Sequence, residues 1–252
     1  MFERLIPFIV AFISFISWEL FIYRPQLFFI AFGIIIVATV GLLLKFNRYK
    51  ILDTDFWLLL MSPLMLIVFT TIFLLFLNYK YIQHSIALAV AIAIYYYLTY
   101  LYYFLRRITN YKPLSLESAS SYFTVISYLF LSVVSYGFIN FLNFKIWYLA
   151  IIFILLTFLS TYQFIWINKI GKRLTMFVSI LISVLMIEFF WSISFFPISH
   201  FISGLALAII YYVIINLSLL NFLEKIDKKV IRTYLSIGII CIFIILLSAK
   251  WL

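Results

Sequence analysis

The sequence predicts an all-α fold: one up-and-down bundle of about nine membrane-spanning helices, N-terminus in the cytoplasm. Three observations predict it. Of 252 residues, 67% are hydrophobic and only 10% are charged, whereas a soluble domain carries roughly a quarter charged residues. Too little polar material is left to coat a globule, so the solvent must be lipid. Apolar runs of spanning length, roughly 18–25 residues, recur along the whole chain. The breaks between them alternate between cation-rich and cation-poor.

The runs are expected at 5–22, 26–44, 56–77, 82–104, 119–142, 146–167, 174–196, 199–222 and 232–250, within a single membrane domain. The first is short and carries Glu19 near its end, with Arg24 in the link that follows. The second ends in a basic loop of Lys45, Arg48 and Lys50, and the third in a tight link holding Lys80. The fourth, dense in tyrosine, closes on Arg106, Arg107 and Lys112. After it comes the longest break, around Asn110–Ser118, with room for a turn or a small surface helix. The fifth ends at Lys145, and the sixth at Lys169, Lys172 and Arg173. The seventh turns tightly through Pro197-Ile198-Ser199 into the eighth, which ends at Lys225, Lys228, Lys229 and Arg232. The ninth closes on Lys250.

Counted by side, thirteen loop cations plus Arg4 fall on one face of the membrane and four on the other. Short loops with this asymmetry keep their Lys and Arg in the cytoplasm. The expected protein is therefore multi-pass in the plasma membrane, N-terminus inside and C-terminus outside. A miscounted span would destroy the alternation.

The net charge of +10 does not make a nucleic-acid partner. The cations sit in short clusters between apolar runs and form no basic face on a folded domain. No loop accommodates a nucleotide-binding unit, which needs on the order of thirty residues. The single Cys241 excludes an internal disulfide. No small-x-small cleavage site follows the first run, so no cleavable signal peptide is expected. No metal site is expected either: the two histidines, His84 and His200, open helices far apart and lack paired ligands. The aspartate pair of intramembrane prenyl transferases, the His-Glu-x-x-His helix and the Gly-x-Ser-Gly turn are all missing from the sequence. No cofactor is expected, and an enzyme is the minority reading. The lipid bilayer is the one partner the composition names. A small-molecule or lipid ligand stays open.

A shift of 116 residues aligns His84 with His200, Tyr95-Tyr96 with Tyr211-Tyr212 and Leu101 with Leu217, as a duplicated unit would. Glu188 has no counterpart, because the shift places Ile72 there.

Glu188 is the principal candidate site, an acid alone inside an apolar run. A carboxylate in hydrocarbon persists with a partner, a water-filled cavity or a proton of its own. It lies eight residues from Phe196, about 12 Å below the outer end. Trp191 and Ser192 share its face at three and four residues, while Ser179, Ser183 and Ser194 lie on another side, where small residues favour close packing. Two readings stand: a protonatable or cation-binding carboxylate in an outward-facing cavity, or a neutral Glu hydrogen-bonded to a Tyr or Ser of a neighbouring helix. His200, just past Pro197, lies within reach of Glu188 if the turn brings it round, as a proton relay. Otherwise it is an interfacial histidine. Glu19 is explained by an interfacial pair with Arg24, anchored by Trp18. It would join Glu188 and His200 only if their hairpins touch.

The segment Glu188-x-x-Trp191-x-x-x-Phe195-Phe196-Pro197, then Tyr211-Tyr212 and the ending Ala249-Lys250-Trp251, resembles a domain-of-unknown-function family of small multi-pass bacterial proteins. The likeness covers roughly residues 185–252. Ser199-His200 stand where that family tends to carry an Asn-like residue. The resemblance implies an integral membrane protein and no particular activity. Two functions are therefore expected to compete. One is a transporter-like or structural membrane protein with Glu188 as its polar centre. The other is an enzyme on a lipid-linked substrate, with Glu188 as general acid or base and His200 assisting.

Overall fold

The computed structural model describes residues 4–46, 54–106 and 114–249, which are helical with no strand. Arg48, Lys50, Arg107, Lys112 and Lys250 of the expected charge pattern lie outside them. Nine helices among the described residues are long and apolar enough to cross a membrane. They are α1 (Ile6–Tyr23), α2 (Phe28–Phe46), α3 (Thr54–Leu75), α4 (Lys80–Arg106), α5 (Ser115–Leu142), α6 (Ile146–Ile167), α7 (Lys172–Ser194), α8 (His200–Phe222) and α9 (Lys228–Ser248). Each coincides with one expected span.

The largest differences fall at helix starts. The α5 helix begins at Ser115, inside the stretch expected as a loop, and α9 at Lys228 rather than 232. A window chosen for apolar residues discards a polar first turn, which backbone hydrogen bonding does not. Asp227 fixes the start of α9 by accepting from the Lys228 backbone N–H at 2.7 Å.

The chain packs as two compact units, Met1–Phe123 and Thr124–Leu252, with the boundary inside α5. In the first, α1 lies against α4 and α2, and α3 against α4 and α2. Trp18 of α1 donates its indole N–H to the Thr71 hydroxyl of α3 at 2.9 Å, and that hydroxyl donates on to the Ile67 carbonyl. Pro63 sits inside α3. It has no N–H for the carbonyl four residues back, and a membrane interior offers no water to replace it. Tyr97 of α4 supplies the missing donor, its hydroxyl 2.7 Å from the Leu59 oxygen. Gln83, in the first turn of α4, covers the end of α3 by donating to the Leu74 and Leu77 carbonyls, each at 2.9 Å.

In the second unit the middle of α5 is buried all round. Residues 130–137 are all buried, so no side of the helix faces out over two turns. Tyr136 donates to the Phe190 carbonyl of α7 at 3.0 Å. Gly204 of α8 lets the backbones meet, since a Cβ there would lie 2.5 Å from the Val133 Cα. The α6 and α7 helices pack closely, and the buried stripe of α7 includes Thr175, Ser179 and Ser183, spaced by four. These hydroxyls are satisfied within the helix: Ser179 donates to Thr175 at 2.7 Å and Ser183 to Ser179 at 2.6 Å. By contrast α9, packed on α8, buries a single residue, Gly238.

Candidate functional site

The buried residues of α7 are Thr175, Ser179, Ile182, Ser183, Met186 and Phe190. At about 100° per residue they form one stripe, and Glu188 falls on the opposite side. Its side chain is exposed, in a shallow groove of about 420 Å³ lined by Phe177, Ile180, Leu181, Val184 and Leu185. Among the described residues its carboxylate makes no hydrogen bond or ion pair, and Ser192 binds its backbone carbonyl at 2.8 Å instead. Glu188 is six residues from the end of α7, about 9 Å at helical rise. It is thus an acid on the outer face of an apolar helix, with neither the enclosing cavity nor the neighbouring Tyr or Ser that the two sequence readings require. Hydropathy carries no direction for it, because both faces of α7 are apolar.

Trp191, the next turn on, packs edge-on against Trp147 of α6, ring centroids 4.4 Å apart. His200 is buried as the first residue of α8, between Phe141 at 4.9 Å and Phe201 at 4.1 Å. Among the described residues no hydrogen bond joins it to Glu188, the contact that a Glu–His relay would need. The tight turn after Phe196 aims His200 into the unit's aromatic interior, while Glu188 faces away from it.

Glu19 pairs with His84 of α4, Oε to Nδ1 at 2.9 Å, rather than with Arg24. Five residues separate Glu19 from Arg24, which puts them about 140° apart around a helix. His84 is the closer partner because α1 and α4 pack together. The Tyr23 ring covers the pair at 5.5 Å from the imidazole. His84 is therefore the hydrogen-bond partner of Glu19 across two helices, a role the sequence reading did not assign to it.

A second polar group escapes the sequence reading. In the interior of the second unit, Thr124 donates to the Gln163 amide oxygen at 2.8 Å. Tyr128 meets Thr157 at 3.3 Å, and Thr161 meets the Tyr211 hydroxyl at 3.4 Å. Tyr128 and Tyr211 stack with centroids 3.6 Å apart. The Ser127 hydroxyl is buried beside them in sequence without a partner. Thr157-x-x-Ser160-Thr161-x-Gln163 is the signal: four polar residues in two turns of an apolar helix, all buried. The two tyrosine pairs aligned by the 116-residue shift also differ in setting, because Tyr211 is fully buried whereas Tyr95 and Tyr96 are exposed. Among the described residues, no group of three His, Cys, Asp or Glu is placed to hold a metal ion.

Nine helices long and apolar enough to cross a membrane, among the described residues, define a class, the polytopic helical proteins. Residues 48–248 match the family described as protein of unknown function (DUF5656), and the chain belongs to that family. The match runs from before α3 to the end of α9, well beyond the last third that carried the resemblance. No curated protein and no solved structure matches the chain.

Proposed function

We propose that the protein is a non-enzymatic, multi-pass structural component of a bacterial plasma membrane, N-terminus inside and C-terminus outside. It works through a surface presented within the bilayer, with Glu188 as its polar centre. The direction of Glu188 carries this reading. An enzyme or carrier needs its acid turned toward an enclosed substrate, and this one is turned away from the packed side of its own helix. The alternating cations support the orientation. A transport reading has one observation in its favour, the Thr124, Tyr128, Gln163 and Tyr211 cluster. Thr124 bonds Gln163, Tyr128 meets Thr157 and Tyr211 meets Thr161, which suits a packing device at least as well.

Carbodiimide labelling in native membranes tests the reading. Glu188 should react with lipid-soluble dicyclohexylcarbodiimide and resist a water-soluble carbodiimide. Equal reaction with both would place it in a water-filled cavity and transfer support to transport. Tags at the two chain ends should be accessible from opposite sides.

A further inference from the structure

We propose that the first turns of α9 hold an anionic phospholipid. Lys228, Lys229 and Arg232 take its phosphate, and one acyl chain lies along Leu235 and Ile239. The inference rests on the membrane reading above and adds a ligand to it.

The three cations and the two apolar residues line one groove of about 680 Å³, together with Ile231 and Ser236. That volume falls in the range of small-molecule sites, roughly 300–1,000 Å³. At about 100° per residue, Lys228, Arg232, Leu235 and Ile239 fall within about 60° of one another, so charge and apolar track share one line along the helix. The cations come first and the apolar residues follow. Lys228 and Ile239 are eleven residues apart, about 17 Å at helical rise. That is close to half the hydrocarbon thickness of about 30 Å, the depth of one leaflet.

The cations are available. All three side chains are exposed, and among the described residues none of them forms an ion pair. Asp227, the acid beside them in sequence, is committed to the helix start, where it accepts from the Lys228 backbone N–H at 2.7 Å. The apolar end is open too, with Leu235 45% and Ile239 66% exposed. Complementarity selects the occupant. A zwitterionic lipid brings these cations no net charge, and a free anion leaves the apolar half of the groove empty. An anionic phospholipid fits both halves, and each Lys or Arg at the membrane surface favours it by about fivefold.

Lipid quenching in reconstituted vesicles tests this, in a Cys241→Ser background because Cys241 is free. Ile240→Cys, beside the apolar end of the groove, carries a thiol-reactive fluorophore that nitroxide-labelled lipid quenches on contact. Val184→Cys is the control. Both positions are exposed, and each lies twelve residues from the lysine that starts its helix, Lys228 or Lys172. In phosphatidylcholine vesicles, labelled phosphatidylglycerol should quench Ile240→Cys at about a fifth or less of the concentration that labelled phosphatidylcholine needs. At Val184→Cys the two lipids should quench alike. Lys228→Gln, Lys229→Gln and Arg232→Gln together should erase the preference. Lys169→Gln, Lys172→Gln and Arg173→Gln, which remove equal charge around the start of α7, should leave it. Glycerophosphoglycerol, the same head without chains, should not restore the fluorescence; if it does, the site takes a free anion and the proposal fails. Equal quenching by both lipids at Ile240→Cys, an equal preference at Val184→Cys, or a preference that survives loss of the three groove cations also overturns it. Each of those results still shows lipid in contact with the helices. Quenching by neither lipid at either position would instead remove the membrane reading, and this proposal with it.

Discussion

The Tyr97 hydroxyl holds the carbonyl of Leu59, 2.7 Å away on the neighbouring helix, because Pro63 has no N–H to offer it. This links a local sequence defect to a specific tertiary contact. Tyr97→Phe should destabilise the protein by about 1–3 kcal/mol, the cost of an orphaned buried acceptor. In a Pro63→Ala background the restored N–H serves Leu59, and the same substitution should cost less than half as much. A thermal-unfolding cycle in detergent measures the coupling. Additive effects would show that the phenol acts only by filling space.

Gly204→Ala drives a Cβ to 2.5 Å from the Val133 Cα and 2.6 Å from its nitrogen. The obstacle is backbone, so trimming the Val133 side chain cannot relieve it. We expect a loss of about 1–3 kcal/mol from forced separation of α5 and α8. Gly33→Ala is the control. Nothing lies within 4 Å of its added Cβ, and it should be neutral or stabilise by up to about 1 kcal/mol.

Thr124 and Gln163 should be energetically coupled. Thr124→Val and Gln163→Leu each remove one side of a 2.8 Å hydrogen bond between α5 and α6. A double-mutant cycle should return about 0.5–2 kcal/mol, the range for hydrogen bonds between membrane helices. Zero coupling would mean the contact is incidental to packing.

Glu19 and His84 should contribute little by comparison. Their side chains are 22% and 31% exposed, so solvent screens the pair. Glu19→Gln or His84→Gln should change stability by less than about 1 kcal/mol, and added salt should shrink the difference further. A larger, salt-independent loss would indicate a pair shielded from solvent.

The positions of the helices were legible because lipid demands a long apolar run for every crossing, and such runs are visible one at a time. Partners were not. Glu19 pairs with a residue 65 positions away, and Tyr97 serves a carbonyl 38 positions back. Neither follows from spacing within a helix. Glu188 was legible as an exception, and its direction only through residue size, because hydropathy alone is high all round α7. The small residues at 175, 179 and 183 held that information. They mark the buried face of α7 by their size, and therefore the face that Glu188 avoids. The Thr124–Gln163 group went unread because each of its members alone is an ordinary residue for such a helix.

The last helix has a consequence of a different kind. Because α9 fully buries only Gly238, opposite Val213, most of its exposed positions answer to oiliness alone. Relatives should therefore exchange Ile, Leu, Phe and Val freely along it while holding a small residue at that one notch. Here the chain can drift.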